Sequence, residues 1–287
     1  MKFDFMFSTA LQVPPSPLEV KSLADFLKKS DVCILTGAGI STESGIPDYR
    51  GPETSKKQRN PIQHHEFLNS EFVRRKYWAR SFVGWPRVRD SLPNPGHLGV
   101  YELESRNLVS GVITQNVDRL HQKAGSTRTI ELHGRLDHVI CLSCGTIYKR
   151  EYVQKLLSIA NTHWKFKLSE LAPDGDVEIP DEETATFRVP TCENCDGILK
   201  PNVVFFGDSV PENRVTAAWA IYKKARSVLV LGSSLTVYSG YRFIRQAEKD
   251  GKPVAIVNIG RTRGDGGAVI KVDTSISTIL PEIIDLL

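Results

Sequence analysis

The sequence predicts an α/β fold: a doubly wound parallel sheet with helices on both faces, carrying a smaller inserted module. Three observations support this. Short apolar runs rich in β-branched residues recur along the chain, continuous rather than alternating, as expected for strands buried on both faces. Helical patterns alternate with those runs. Two Cys-x-x-Cys pairs then fall in one stretch that breaks the alternation.

In order, the pattern predicts a helix over Pro17–Lys29 and a strand at Val32–Thr36. Gly51–Pro95 starts polar and becomes helix-like, with Phe67, Phe72, Tyr77, Trp78, Phe82 and Trp85 as its apolar content. A helix at His97–Ser105 and a strand at Leu108–Thr114 follow. Residues 138–200 hold both cysteine pairs, with the acidic run Asp174–Glu183 between them. The sheet is expected to resume with a strand at Val203–Phe206, a helix at Glu212–Ala225 and a strand at Val228–Leu231. A helix at Tyr238–Asp250, a strand at Val254–Asn258 and a tail helix from Ile276 to Leu287 complete the order. Ligands of such sheets bind at the carboxyl ends of the strands, so the polar residues after each strand are the candidates for chemistry.

Composition narrows the function classes. With 287 residues, 40% hydrophobic and 24% charged, the chain can bury a sizeable core. A net charge of +4 spread along the chain is too mild to imply nucleic acid. No run approaches the roughly 18 apolar residues of a membrane span. A disulfide framework fits poorly with a fifth, unpaired cysteine, Cys33, so a reducing compartment is expected. Met1–Phe7 is apolar but short, and no signal or transit peptide is expected there.

The first strand runs into Thr36-Gly37-Ala38-Gly39-Ile40-Ser41, a glycine turn that lets backbone N–H groups approach a diphosphate at a helix start. The dehydrogenase fingerprint needs a third glycine where Thr42 stands, and no acidic strand end follows about 20 residues on. A dinucleotide site is therefore expected, but not an ordinary hydride-transfer site. In the following Gly45–Gly51 loop, Arg50 can reach a phosphate and Asp48 can orient a ribose or Arg50 itself.

Thr114-Gln115-Asn116-Val117-Asp118 ends the second strand with three consecutive hydrogen-bonding side chains, which are costly to bury unpaired. Asn116 can hold a ribose hydroxyl or ordered water and Asp118 an amide donor; equally, either residue can serve as a helix N-cap. His133, apolar-flanked and followed by Gly134, suits base work near neutrality. Cys141, Cys144, Cys192 and Cys195 form two knuckles of a tetrahedral zinc site. Four thiolates leave no open position, so such a metal is structural. A redox dithiol and an iron–sulfur cluster are the alternatives. Gly232-Ser233-Ser234 and Asn258-Ile259-Gly260 again end strands with small polar groups, and Val203–Gly207 can offer an edge to an extended peptide.

Taken together, these motifs resemble the sirtuin family, in the family's order and over about residues 32–260. Pro61-Ile62-Gln63-His64, Tyr238–Phe243 and Asn258-Ile259-Gly260 resemble its mitochondrial sirtuin-4 branch. The resemblance implies a Rossmann-like NAD-binding domain built from 1–50, 96–137 and 201–287. It implies a small domain built from a helical module at 51–95 and the zinc module at 138–200. It also implies NAD as a consumed co-substrate, with Gly37, Ala38, Gly39, Ile40, Thr42, Asp48, Tyr49 and Arg50 covering the diphosphate and nicotinamide ribose. Gln115, Asn116, Val117 and Asp118 would line the ribose and nicotinamide pocket. Gly232, Ser233, Ser234, Asn258, Ile259 and Gly260 would hold the adenosine, with Val269 backing the adenine. His133 would be the general base, with Asn116 and Asp118 as the other catalytic residues, and Val204, Phe205, Phe206 and Gly207 would hold the substrate peptide.

The activity so implied is NAD-dependent removal of acyl groups from protein lysines, releasing nicotinamide and O-acyl-ADP-ribose. Branch resemblance adds a preference for bulky or branched acyl groups such as methylglutaryl or lipoyl, mitochondrial metabolic enzymes as partners, the mitochondrial matrix as location, and a monomer. Tyr49 stands where many sirtuins carry Phe, and Gly51–Asn60 lacks the Tyr-x-x-Arg pair of succinyl-lysine readers. The long gap between the cysteine pairs leads us to expect the 161–189 loop to reach toward the site. Mono-ADP-ribosyl transfer through the same pocket and a non-catalytic NAD sensor are the competing functions.

Overall fold

Val32–Thr36 is buried at all five positions, so it has to lie inside a sheet covered on both faces. A computed structural model, describing residues 14–29, 31–51, 54, 61–166, 177 and 179–287, places it there. The strands are β1 (Val32–Thr36), β2 (Val109–Thr114), β3 (Thr129–Glu131), β4 (Gly134–Cys141), β5 (Ile147–Lys149), β6 (Leu199–Val203), β7 (Ser227–Leu231), β8 (Val254–Val257) and β9 (Ile270–Val272). Six of them form a parallel sheet in the order β3-β2-β1-β7-β8-β9. The strand order reverses between β1 and β7, and a doubly wound sheet opens its ligand crevice at that point.

The helices are α1 (Pro17–Lys28), α2 (His64–Asn69), α3 (Glu71–Asp90), α4 (Pro95–Ser105), α5 (Leu120–Lys123), α6 (Arg150–Ala160), α7 (Asp181–Thr184), α8 (Glu212–Lys224), α9 (Tyr238–Asp250) and α10 (Ile276–Ile284). Apolar residues of α1, α4 and α10, among them Leu23, Leu27, Leu103 and Ile279, pack on one face of the sheet with Ile34 and Leu229. Ala218 and Tyr222 of α8 and Phe243 and Ile244 of α9 cover the other face. Ser16 starts α1 with a reciprocal bond to Glu19, and Asn94 caps α4 ahead of Pro95.

The remaining three strands form a second, antiparallel sheet, β5-β4-β6. Its core joins Val139, Leu157, Phe187 and Leu199 to Phe67, Tyr77 and Trp78 of α2 and α3, so the helical and cysteine-bearing stretches share one hydrophobic cluster.

Two expectations need correcting. The strand expected at Val203–Phe206 instead lies at Leu199–Val203 and belongs to the small antiparallel sheet; the large sheet resumes at Ser227. The glycine turn after β1 feeds two short 3-10 turns, Ala38–Ile40 and Thr42–Ser44, rather than an α-helix, and Gly45 ends them at φ 83°. The question of a leader at Met1–Phe7 and most of the Gly51–Asn60 comparison lie outside the described residues.

The switch point depends on one glycine. Gly232, directly after β7, sits at φ 63°, and a Cβ there would fall 2.4 Å from the Ile40 nitrogen. Gly232→Ala combines a left-handed backbone penalty with an overlap that only backbone movement relieves, together about 2–4 kcal/mol. Urea unfolding should show that loss; a midpoint equal to wild type would mean the two loops can separate without cost.

Candidate active site

The carboxyl ends of β1, β2 and β7 meet around a cavity of about 530 Å³. Gly37 N–H donates to the Leu231 carbonyl and Gly39 N–H to the Gly232 carbonyl, clamping the loop after β1 onto the loop after β7. Gly37, Ala38, Gly39, Asp48, Tyr49 and Arg50 line one side, and Gly232–Ser239 with Asn258–Arg261 line the other. Gln115–Asp118 and His133 form the inner end, and Val203–Asp208 one edge.

Three predicted residues lie outside this lining. Ile40 is buried in the core beneath the loop, the Thr42 hydroxyl turns back to donate to the Gly39 carbonyl, and Val269 lies 63% exposed on the surface. Asp48 uses Oδ1 to accept from the Gly51 N–H and the Thr54 hydroxyl, so its visible work is to shape the loop carrying Arg50. Tyr49 meets Phe206 edge-on at 6.1 Å across the cavity mouth.

The inner end is a buried polar network. Asn116 Nδ2 donates to Ser41 Oγ at 3.0 Å, and Ser41 Oγ donates to Asp118 Oδ2 at 2.7 Å. The Leu120 N–H occupies Asp118 Oδ1 at 2.9 Å, closing the turn that leads into the short helix α5. The N-cap of α5 is Arg119, so neither Asn116 nor Asp118 takes the cap position that the sequence allowed. Burial pushes the Asp118 pKa up, opposed by the Leu120 and Ser41 bonds. Ser41 was not among the predicted site residues; its place two residues past Gly39, at the end of the glycine turn, was the available signal.

His133 Nδ1 lies 3.0 Å from the Gln115 carbonyl. A carbonyl only accepts, so Nδ1 carries the proton and the neutral ring presents its lone pair at Nε2. Burial, then the nearby Arg242 and Arg214, push the pKa down to about 4, against the raising effect of the Gln115 bond. The ring is thus an unprotonated base at neutral pH.

Beneath the network, His97 and His121 pack edge-on at 5.1 Å, and His121 Nε2 lies 2.9 Å from Thr36 Oγ1. Burial holds His97 down to about 2 and His121 down to about 4. With His133, three histidines stay neutral in the fold while the unfolded chain takes up their protons. Stability is therefore full above the ordinary histidine pKa of about 6.5 and declines as pH falls toward 4, by about 1.4 kcal/mol per pH unit for each histidine inside that window. Urea midpoints at pH 7 and pH 5 should differ accordingly; equal midpoints would contradict the buried neutral state.

The four cysteine sulfurs lie within 4.8 Å of one another. Cys141 Sγ and Cys195 Sγ are 3.6 Å apart, as are Cys144 Sγ and Cys192 Sγ. A tetrahedron with bonds of about 2.3 Å has edges near 3.8 Å, whereas a disulfide needs about 2.05 Å, so the arrangement fits a zinc ion. The described parts of the 161–189 stretch divide: Phe187 and Val189 pack in the core of the small sheet, and Val177 and Ile179 stand behind the cavity wall. Val177 and Ile179 pack with Ile46, Trp85, Val88 and Leu136, and Arg80 Nε donates to the Val177 carbonyl at 2.9 Å. The rest of that loop, 167–176 and 178, lies outside the described residues. No helix among the described residues is long and apolar enough to cross a membrane.

Comparison with known proteins gives a consistent result. Residues 37–239 match the model of the Sir2 family. The chain is 47% identical to the mitochondrial NAD-dependent protein lipoamidase sirtuin-4 of Bos taurus over 282 residues, covering 96% of this chain and 90% of that protein. It is 45% identical to NAD-dependent protein deacetylase 1 of Streptomyces coelicolor over 287 residues, covering 100% and 96%. Among solved structures, a Sir2 with a p53 peptide and NAD+ superposes with a TM-score of 0.75 at 31% identity, covering 93% of this chain and 98% of that one.

Proposed function

This chain belongs to the Sir2 family, and from that premise we propose that it removes bulky or branched acyl groups from protein lysines in preference to acetyl. It is an NAD-dependent protein-lysine deacylase with NAD as co-substrate and a zinc-binding cysteine cluster. The acyl preference draws its support from the sirtuin-4 relatives.

The observation that carries the reading is His133: a half-buried, neutral imidazole with its lone pair at Nε2, in the same cavity as the Asn116–Ser41–Asp118 network. The cavity fits NAD in its donor set. Arg50 lines the diphosphate side, while Ser233, Ser234 and Asn258 give the adenosine side its small polar groups. Bound NAD supplies a ribose carbon that accepts the acyl oxygen as nicotinamide leaves. In this reading Asn116 and Asp118 orient the ribose and nicotinamide ends, and His133 Nε2 takes a proton from a ribose hydroxyl. Val204–Gly207 lies along the cavity, with the Val204 N–H donating to the His133 carbonyl, so a peptide held there lies beside the base. Residues 1–50, 96–137 and 201–287 form the NAD-binding domain in this proposal, and 51–95 with 138–200 the small domain.

Incubation with NAD and a panel of acyl-lysine peptides, followed by mass spectrometry, tests it. O-acyl-ADP-ribose formed faster from methylglutaryl- or lipoyl-lysine than from acetyl-lysine is the expected result. Acetyl preferred would overturn the acyl assignment. A mass increment on a protein target without O-acyl-ADP-ribose would indicate ADP-ribosyl transfer instead. The mitochondrial matrix and its metabolic enzymes as targets belong to the same proposal; they rest on the sirtuin-4 relatives, and a bacterial deacetylase is nearly as similar.

A further inference from the structure

The geometry points to Ser239 as a proton relay between His133 and the ribose hydroxyl that His133 deprotonates, an inference that rests on the deacylase reading. Ser239 Oγ lies 2.7 Å from His133 Nε2. The Gln115 carbonyl already takes the Nδ1 proton, so the serine must be the donor to Nε2. An imidazole nitrogen has one in-plane lone pair. While Ser239 fills it, a ribose hydroxyl cannot, yet the serine oxygen keeps lone pairs of its own and lines the same cavity.

The contact is built in from several sides. A Cβ on Gly240 would fall 2.7 Å from Gln115 Nε2, so glycine lets the start of α9 press against the residue that holds His133. Ser233 Oγ fixes that glutamine by donating to Oε1 at 2.7 Å. Arg242, one turn along α9, donates Nε to the Ser239 carbonyl at 3.0 Å. Its Nη2 is buried with no hydrogen-bond partner among the described residues. Arg242 and Arg214 are the charged groups that act on the His133 ring, and both favour its neutral form.

In the step itself, the ribose O–H bond breaks as its proton binds Ser239 Oγ, and the Ser239 proton passes to His133 Nε2. The O–H electron pair stays on the ribose oxygen, which becomes the nucleophile. Ser239 ends as it began, and His133 ends as an imidazolium whose Nδ1 proton still faces Gln115.

Two readouts test the relay. In the protein without NAD, the ¹⁵N resonance of His133 Nε2 should move downfield in Ser239→Ala and stay near wild type in Ser239→Thr. In turnover, Ser239→Ala should cut O-acyl-ADP-ribose formation about 10²-fold, the low end of what positioned proton transfer supplies, with nicotinamide exchange into NAD retained. Ser239→Thr should restore product. An unmoved Nε2 resonance, a Ser239→Ala rate within twofold of wild type, or parallel loss of exchange and product would each overturn it. Wild-type protein inactive on every acyl peptide overturns the deacylase reading and the relay together, whereas active wild type with an indifferent Ser239→Ala overturns the relay alone.

Discussion

His133→Ala should lower O-acyl-ADP-ribose formation by about 10²–10⁴-fold, the range that a positioned general base contributes. The ring is the one imidazole lining the cavity, and its Nδ1 bond to the Gln115 carbonyl fixes which nitrogen is basic. Nicotinamide release precedes the need for a base in this reaction, so exchange of labelled nicotinamide into NAD should survive the substitution. Thermal midpoint and zinc content are the controls, because the variant also leaves the Gln115 carbonyl without that donor. Product formation at the wild-type rate would remove His133 from the chemistry.

Zinc removal has the second large effect. Cys141 and Cys192 are buried in the same cluster as Trp78, Val139, Leu157 and Leu199, so the metal pins a core and not a surface loop. Structural zinc sites in small peptides contribute roughly 10–16 kcal/mol of folding free energy, far more than the packing of a three-stranded sheet could replace. The purified protein should carry one zinc per chain. Chelation should expose four thiols while Cys33, inside β1, stays protected, and the near-ultraviolet signal of Trp78 and Trp164 should collapse along with activity. Cys192→Ser should reproduce this. Metal-free protein with an unchanged midpoint, or iron in place of zinc, would contradict the assignment.

The long-range order of the fold was legible wherever burial is two-sided. β1, β7 and β8 read directly as apolar runs because every residue of each is buried. β3 and β9 gave no such signal: each has three residues and is largely half-buried, too short for periodicity to register. β6 was displaced because Lys200-Pro201-Asn202 breaks its apolar pattern. It lies at the edge of β5-β4-β6, where a proline is tolerated.

In the site, residues that sit in glycine-rich or polar strand ends were visible. Ser239 stood out only as part of the branch-like stretch Tyr238–Phe243; it meets His133 across 106 positions of sequence, which no local pattern shows. The cysteines gave their ligand set from spacing alone. The packing of Val177 and Ile179 behind the cavity carries no comparable spacing signal in the sequence.

The strand order also sets a timetable for synthesis. Val32 of the central strand pairs with Ser227, about 195 residues later. At roughly 5–20 residues per second, the ribosome needs on the order of 10–40 seconds to deliver that partner. Until β2 emerges at Val109, β1 has no sheet partner; after that it has a neighbour on one side only, and its other side is an apolar edge open to mispairing. The cysteine-bearing sheet, by contrast, is complete once Val203 has emerged, so metal capture can precede closure of the main sheet. Nascent chains of this protein therefore pass most of that interval with both sheets unfinished, and only between the emergence of Val203 and that of Ser227 is the antiparallel sheet complete while β1 still waits for β7.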